Sequence, residues 1–146
     1  MWQWWPKLKS ASGIQRLSAN HKDGVLQSGE AHRVRGEAFE SLALDFLKSK
    51  GLRLVERNFH CRHGEIDLVM MDNRDLVFVE VRFRKNPRFG GAAQSISIHK
   101  QKKIRITAER FLQLNAKLGF QGCRFDVLAI DGVGPTQKID WILDAF

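Results

Sequence analysis

Two alternating apolar runs separated by a short polar turn constrain this chain more than any other feature. The first run covers residues 64–71, the second covers residues 76–83, and Asp72-Asn73-Arg74-Asp75 lies between them. Alternating apolar residues bounded by turn-forming residues are typical of a β-hairpin. If the turn closes symmetrically, Met71 lies opposite Leu76, and this pair fixes the register of the whole hairpin.

The predicted register brings two carboxylates side by side. It places Asp67 opposite Glu80 and Glu65 opposite Arg82, with Cβ atoms about 4.5–5.5 Å apart. Like charges placed directly opposite each other destabilise a sheet, so the acidic pair needs a metal ion, a shared proton or nearby cations such as Arg82 and Arg84. Mg²⁺ takes oxygen ligands and is usually held by one or two carboxylates plus substrate phosphate. The alternative is an exposed charged face with ordinary cross-strand ion pairs.

The same alternation predicts which residues of the hairpin face the core, because side chains of a strand point to opposite faces in turn. The predicted core face consists of Ile66, Leu68, Met70, Val77, Val79, Val81 and Phe83.

Apolar residues at helical spacing predict two amphipathic helices. The first covers residues 31–50 and carries a stripe made of Phe39, Leu42, Ala43, Phe46 and Leu47. The second covers residues 98–118, with Ile104, Ala108, Phe111, Leu112 and Leu118 on its buried side. Glu40 falls at the edge of the first stripe and can face the sheet, whereas Glu37 falls on the solvent side.

The second helix and the loop before it are basic. The helix carries basic side chains, mostly in its first half, which are Lys100, Lys102, Lys103, Arg105 and Arg110. Cations there oppose the helix dipole, which indicates a ridge that follows a nucleic-acid backbone. The loop contains Arg84, Lys85 and Arg88 beside Phe89, Gly90 and Gly91, a composition typical of phosphate or base contacts; the alternative is a plain surface turn.

The remaining segments complete an α-β-β-β-α-β-β order. Strands are predicted over residues 52–59, 123–130 and 138–143, with Leu52 and Leu54 facing inward and Asp126 satisfied structurally by Arg124. This order predicts an α/β sandwich, with a mixed central sheet and a helix on each face.

The chain divides into a flexible tail, residues 1–29, and a domain, residues 30–146. The tail contains Trp2, Trp4 and Trp5, which can stack on bases, lie at a membrane interface, carry a protein contact or dock on the domain. The chain has no secretory signal pattern and no apolar run of about 20 residues, so we expect a cytoplasmic protein that does not enter a membrane.

Net charge indicates the class of partner, and cysteine content indicates the state of the thiols. The net charge of +8 suits a polyanionic partner. The two cysteines, Cys61 and Cys123, form no CxxC pair, which excludes common zinc sites and favours buried, reduced thiols. His60 and His63 flank the hairpin and can touch phosphate or carry protons; the alternative is a structural or solvated role.

The hairpin residues resemble a known nuclease signature. Gly64-Glu65-Ile66-Asp67 followed by Phe78-Val79-Glu80-Val81-Arg82 resembles the PD-(D/E)xK motif, and the element order resembles the restriction-endonuclease-like fold, particularly that of archaeal Holliday-junction resolvases. From about residue 36 to the end, the chain is more closely similar to the bacterial YraN family of predicted endonuclease-like proteins. The runs Gly-Glu-Ile-Asp-Leu, Phe-Val-Glu-Val-Arg, Gly-Gly-Ala-Ala, Cys-Arg-Phe-Asp-Val and the ending Asp-Ala-Phe carry this likeness.

The resemblance implies an endonuclease that hydrolyses DNA with Mg²⁺ or Mn²⁺, including branched DNA. Asp67 and Glu80 would be metal ligands, and Glu40 would support the metal site. Arg82 stands where the motif has lysine; arginine stays protonated, so it can hold the scissile phosphate but cannot act as a base. Gln94 and Lys100 correspond to positions that contact DNA in related nucleases.

The sequence supports alternatives for the activity, the partner and the assembly. Arg82 favours a non-catalytic nucleic-acid-binding module that has kept the nuclease fold, whereas the retained acidic pair disfavours it. DNA is a better expected partner than RNA, and a homodimer is one candidate assembly because nucleases that cut both strands are often dimers.

Overall fold

The structure, a computed structural model, describes residues 28–84 and 96–146. Residues 1–27 of the predicted tail, with its tryptophans, and three predicted nucleic-acid contacts, Lys85, Arg88 and Gln94, lie outside the described residues. The elements are α1 (Ser28–Ser49), β1 (Arg53–Cys61), β2 (Gly64–Asp72), β3 (Asp75–Arg84), α2 (Ile98–Leu114), β4 (Gly122–Asp131) and β5 (Lys138–Ile142). Short 3₁₀ turns cover Ala116–Leu118 and Gly134–Thr136. The predicted α-β-β-β-α-β-β order is therefore confirmed, although α1 begins three residues before the predicted start at residue 31.

The five strands form one mixed sheet in the order β1-β2-β3-β4-β5. Neighbouring strands run antiparallel except β3 and β4, which are parallel. Parallel neighbours need a long crossover connection, and α2 lies within the segment that joins them. This arrangement makes β3 the central strand: β4 pairs with it from Asp75 to Arg84, and β2 pairs with it from Asp75 to Val79.

Helix α1 covers one face of the sheet. Its Ala43, Leu44 and Leu47 are buried against residues of β2, β3 and β4, including Leu68, Val79 and Leu128. Phe39, Leu42 and Phe46 pack around the edge of this cluster and are only partly buried. The predicted apolar stripe is thus the face that contacts the sheet.

Helix α2 covers the opposite face. Ile104, Ala108 and Phe111 pack with apolar side chains of the sheet, which are Ile66, Val69, Met71, Leu76 and Phe78. The ring of Phe111 meets the Phe78 ring edge to face, with 5.8 Å between ring centroids. Both faces of the β2–β3 hairpin are consequently buried, and the predicted helix on each side of the sheet is confirmed.

The predicted core face of the hairpin is wrong at Ile66. Leu68 packs on the α1 side, whereas Ile66 packs on the α2 side, so the alternation of β2 reverses at Asp67. The neighbouring strand explains the reversal, because Asn58 lies between the pairs Arg57–Leu68 and Phe59–Ile66 and has φ +52°. Asn tolerates this left-handed conformation better than most residues.

Other local predictions also need correction. Leu54 is exposed although its partner Met70 is buried, since β1 is an edge strand with a neighbour on one side only. Leu118 is exposed because α2 ends at Leu114. Both cysteines are free thiols as predicted, but Cys123 is exposed and Cys61 only partly buried.

Asp126 has the predicted structural role. It is completely buried and accepts hydrogen bonds from Arg124 Nε (3.1 Å), Trp141 Nε1 (3.0 Å) and the backbone N–H of Asp144 (3.1 Å). These bonds join β4, β5 and the end of the chain on the side of the sheet away from β1.

Within residues 28–84 and 96–146, no helix is long and apolar enough to cross a membrane.

Candidate active site

A cleft of about 540 Å³ lies where the pairing of β2 with β3 ends. The predicted register is confirmed from Met71–Leu76 to Leu68–Val79, the last pair of this ladder. One residue further along, Asp67 Oδ2 accepts a 2.7 Å hydrogen bond from the backbone N–H of Val81. The Asp67 side chain therefore reaches toward β3 at the point where the two strands separate.

The cleft, called here the acidic cleft, collects side chains from both helices and both hairpin strands. Its lining consists of Arg35, Gly36, Phe39, Glu40, Glu65, Asp67, Glu80, Val81, Arg82, Phe83 and Lys100. Every predicted catalytic or metal-binding residue lies in this lining. Of the predicted nucleic-acid contacts, Lys100 lines it, while Arg84 is half-buried at the end of β3 and Lys103 lies in a neighbouring cleft.

Helix α1 is fixed over the cleft by an aromatic contact. Phe39 stacks on Phe83 of β3 with 3.6 Å between ring centroids and an interplanar angle of 15°. On the next residue, Glu40 Oε2 lies 3.8 Å from Arg57 NH2, and the same guanidinium group donates to Ser41 Oγ at 3.2 Å. These contacts place the Glu40 carboxylate at the wall of the cleft.

Helix α2 contributes Lys100 through its capped N-terminus. Ser97 is the N-cap residue, and its Oγ accepts a 3.2 Å hydrogen bond from the backbone N–H of Lys100. The Lys100 Nζ lies 3.2 Å from Glu80 Oε1. The cation that opposes the helix dipole is therefore compensated by a carboxylate of the sheet.

Glu80 is the most enclosed charge of the site. Its side chain is 5% exposed, and Arg82 NH1 lies 3.6 Å from the same Oε1 atom that faces Lys100. Burial nevertheless raises the pKa of Glu80, with Lys100 and Arg82 opposing the rise and Glu65 adding to it. Two cations thus offset the cost of burying this carboxylate only in part.

The pKa of Asp67 is raised more strongly than that of Glu80. Burial, reinforced by repulsion from Glu80 and then Glu40, raises the pKa of Asp67 to about 7, despite the opposing effects of the Val81 N–H and Lys100. Near neutral pH this group is therefore divided between its protonated and charged forms. The repulsion predicted from the hairpin register is present, and a nearby positive charge would relieve it.

Two buried oxygen atoms of the cleft have no hydrogen-bond partner in the described part of the chain. They are Glu80 Oε2 and Glu40 Oε2. An unsatisfied buried acceptor costs about 1–3 kcal/mol, and more when it is charged. Among residues 28–84 and 96–146, no three His, Cys, Asp or Glu side chains form a ready-made metal-binding group. The site therefore offers carboxylate oxygens without a complete set of protein ligands.

Sequence reasoning assigned Lys100 to nucleic-acid contact and missed its ion pair with Glu80. It also missed the Val81 N–H as a donor to Asp67 and Arg35 as a lining residue. A signal for Lys100 was available, because a lysine in the first turn of a helix is unfavourable unless an anion lies nearby.

The fold and the cleft together define a class: α/β proteins with a mixed sheet between two helices and a carboxylate-lined cleft where a central hairpin opens. The sequence profile of Uncharacterised protein family UPF0102 matches residues 39–130, and the chain belongs to this family. UPF0102 is the YraN family, so this part of the sequence resemblance is confirmed.

Relatives from several bacteria carry the name UPF0102 protein. That of Stutzerimonas stutzeri is 47% identical over 111 residues, covering 76% of this chain and 92% of the relative. That of Saccharophagus degradans is 50% identical over 115 residues, covering 79% and 94%. That of Nitrosococcus oceani is 46% identical over 115 residues, covering 79% and 93%. The similarity therefore spans nearly the whole length of these relatives.

Proposed function

We propose that this protein is a divalent-metal-dependent endonuclease that hydrolyses phosphodiester bonds in DNA, including branched or otherwise structured DNA. A single observation carries the proposal. Asp67, Glu80 and Glu40 line one cleft together with Arg82 and Lys100. Three buried or partly buried carboxylates supply oxygen ligands, and two cations supply contacts for phosphate. The resemblance of the hairpin to the PD-(D/E)xK signature supports the same function.

The residues present fit a hard divalent cation. Mg²⁺ commonly binds through one or two carboxylates and keeps several waters or substrate oxygens as its remaining ligands. Asp67 and Glu80 would be the protein ligands, since both have raised pKa values and Glu80 Oε2 has no hydrogen-bond partner within the described residues. Glu40 lines the same cleft and would support the site through Oε2, which lies 3.8 Å from Arg57 but accepts no hydrogen bond within the described residues, or through bound water.

The chain's own residues would divide the remaining work. A bound divalent cation would supply a lowered pKa for attacking water and a positive charge beside the phosphate. Arg82 would hold the scissile phosphate and stabilise the negative charge that develops on it. Lys100 would hold Glu80 in place and present a second cation to the substrate, since its Nζ lies at the cleft wall.

A second candidate function is a nucleic-acid-binding module without catalysis. One observation favours it: Arg82 and Lys100 both lie beside Glu80 Oε1, so the protein itself offsets much of the Glu80 charge. Arginine also cannot accept a proton from water. Such a module would bind a nucleic-acid backbone through the basic side chains and leave it intact.

Cleavage of labelled duplex, single-stranded and four-way-junction DNA, with Mg²⁺, Mn²⁺ or EDTA, tests the proposal. We expect metal-dependent cutting by the wild type, loss of cutting in Glu80→Ala and retained DNA binding in that variant. Asp45→Ala, which removes an exposed carboxylate of α1 that lies outside the acidic cleft, is the control. Absence of cutting on every substrate, together with tighter DNA binding by Glu80→Ala, would instead support the binding module.

A further inference from the structure

Two more clefts adjoin the acidic cleft and continue it along α2. The turn cleft, of about 440 Å³, is lined by His60, Cys61, Gly64, Glu65, Lys100 and Lys103. The helix cleft, of about 580 Å³, is lined by Cys61, Arg62, His63, Ile106, Glu109, Arg110 and Gln113. Glu65 and Lys100 belong to both the acidic and the turn cleft, and Cys61 belongs to both the turn and the helix cleft. The turn and helix clefts adjoin at Cys61, and together they are called here the basic groove.

The floor of the basic groove is formed where the β1–β2 turn touches α2. A Cβ atom at Gly64 would lie 3.2 Å from Thr107 Oγ1 and 3.5 Å from Lys103 Cβ, so glycine permits this close approach. Cys61 Sγ also lies 3.7 Å from Thr107 Oγ1. The turn and the helix are thus in direct contact, and the side chains beside this contact form the two rims.

Positive charge is spread along the basic groove rather than concentrated at one point. Lys103 and Arg110 are both exposed and seven residues apart, so they lie on one face of α2, about 10 Å from each other along its axis. Lys100 extends this row to about 15 Å. Arg62 stands on the opposite rim, where its Nε donates a 2.8 Å hydrogen bond to His63 Nε2.

The charge balance of the basic groove favours an anion. Its lining includes four cationic side chains, of Lys100, Lys103, Arg62 and Arg110, and two carboxylates, of Glu65 and Glu109. A small anion would need these cations to converge on one position, whereas a row of about 15 Å matches an extended chain of phosphates. The arrangement therefore fits a polyanion better than a single phosphate group.

We propose that the basic groove holds the nucleic-acid strand on one side of the bond that is cut. The strand would leave the acidic cleft beside Lys100, cross Lys103 along the surface where the β1–β2 turn meets α2, and reach Arg110, with Arg62 on the opposite rim. This inference rests on the proposed function, because it gives the substrate a direction at the same site. Recognition would be through backbone phosphates and would carry little sequence preference.

Salt-dependent binding of a short fluorescein-labelled oligothymidylate, measured by anisotropy in EDTA, tests the proposed path. Each phosphate contact on a single strand adds about 0.7 to the slope of log affinity against log salt. Lys103→Gln/Arg110→Gln should lower this slope by about 1.4 and weaken binding by about tenfold at moderate salt. Lys48→Gln/Lys117→Gln removes the same charge from two exposed lysines outside all three clefts and should stay within about twofold of the wild type.

The outcomes separate this inference from the proposed function. An unchanged slope in Lys103→Gln/Arg110→Gln, or an equal loss in the control pair, would overturn the path even if the wild type cleaves DNA. A selective loss in Lys103→Gln/Arg110→Gln would support the path even if no DNA is cleaved, and the proposed nuclease activity alone would then fail. Circular dichroism of each variant distinguishes lost contacts from lost folding, because both side chains are exposed and should leave the melting transition unchanged.

Discussion

At the residue scale, the site depends on a conflict between two carboxylates that the fold holds together. Asp67 has a pKa of about 7 because it is buried and faces Glu80, and its one hydrogen bond from the Val81 N–H does not offset these effects. The folded protein therefore binds this proton more tightly than the unfolded chain does. Perturbed pKa values concentrate at functional sites, so a buried carboxylate with a raised pKa in a cleft is a candidate functional group.

This shift makes stability depend on pH in a defined direction. The folded-state pKa of Asp67 is raised from 3.8 to about 7, so protonated Asp67 adds stability that is complete below about pH 4 and lost as the pH rises to about 7. Asp67→Asn cannot lose this proton. Its free energy of unfolding should therefore exceed that of the wild type increasingly between those pH values, by about 2–4 kcal/mol at the upper end.

Urea unfolding at a series of pH values, without divalent cations, measures this difference. Asp45→Asn changes an exposed carboxylate of α1 and should follow the wild-type profile. A wild-type curve that runs parallel to that of Asp67→Asn over the whole range would contradict the assigned environment of Asp67.

At the element scale, the first turn of α2 is the part of this helix that contributes to the site. Ser97 Oγ accepts the Lys100 N–H, and the same turn places Lys100 Nζ against Glu80. Cations in this turn work against the helix dipole, so the cap and the Glu80 contact together stabilise an otherwise unfavourable start.

Removal of the cap should therefore have a measurable cost. Ser97→Ala should lower the free energy of unfolding by about 1 kcal/mol, the usual cost of losing a serine N-cap. Thermal unfolding followed by circular dichroism measures it. Ser97→Asp, which keeps a capping oxygen and adds a negative charge near the helix start, should recover the loss. Equal destabilisation by both substitutions would show that the cap does not stabilise this helix.

The elements themselves could be predicted well from the sequence, because their apolar spacing reflects the core directly. Phe39, Leu42, Ala43, Phe46 and Leu47 mark the face of α1 that packs on the sheet. The face of Ile66 could not be predicted, because the alternation rule assumes a regular strand and Asn58 interrupts it with a left-handed conformation. The exposure of Leu54 follows from the place of β1 at the edge of the sheet, and the local sequence pattern does not encode strand order.

At the scale of the whole molecule, one sheet carries two separate apolar layers. Leu47 of α1 is fully buried in one layer, and Phe111 of α2 is fully buried in the other. The strands β2 and β3 contribute side chains to both layers, so the layers should unfold together.

Matched truncations on the two faces test this coupling. Leu47→Ala and Phe111→Ala should each lower the free energy of unfolding by about 3–4 kcal/mol and keep a single transition. Leu114→Ala, at an exposed position near the end of α2, should change it by less than about 0.5 kcal/mol. Two separate transitions in either core variant would contradict one cooperative sandwich.

The two hairpin carboxylates of the candidate site could be predicted from the sequence, whereas the contact of Glu80 with α2 could not. The turn sequence determines the hairpin register locally, and this register is confirmed as far as Leu68–Val79, one position before Asp67 and Glu80. The Lys100–Glu80 contact depends on how α2 docks over the sheet after a long crossover, and no local pattern encodes that distance. The unpartnered Glu80 Oε2 likewise becomes visible only when the surrounding atoms of the described chain are placed.

In the proposed function, Asp67 and Glu80 are held together in order to bind a divalent cation. Titration of the protein with Mn²⁺, followed by calorimetry and by loss of the free-ion electron paramagnetic resonance signal, tests this claim most directly. We expect one site that binds Mn²⁺ more tightly as the pH rises toward about 7, where Asp67 gives up its proton. This site should be lost in Glu80→Gln but kept in Glu109→Gln. Equal Mn²⁺ binding by the wild type and Glu80→Gln, or no binding by either, would contradict it.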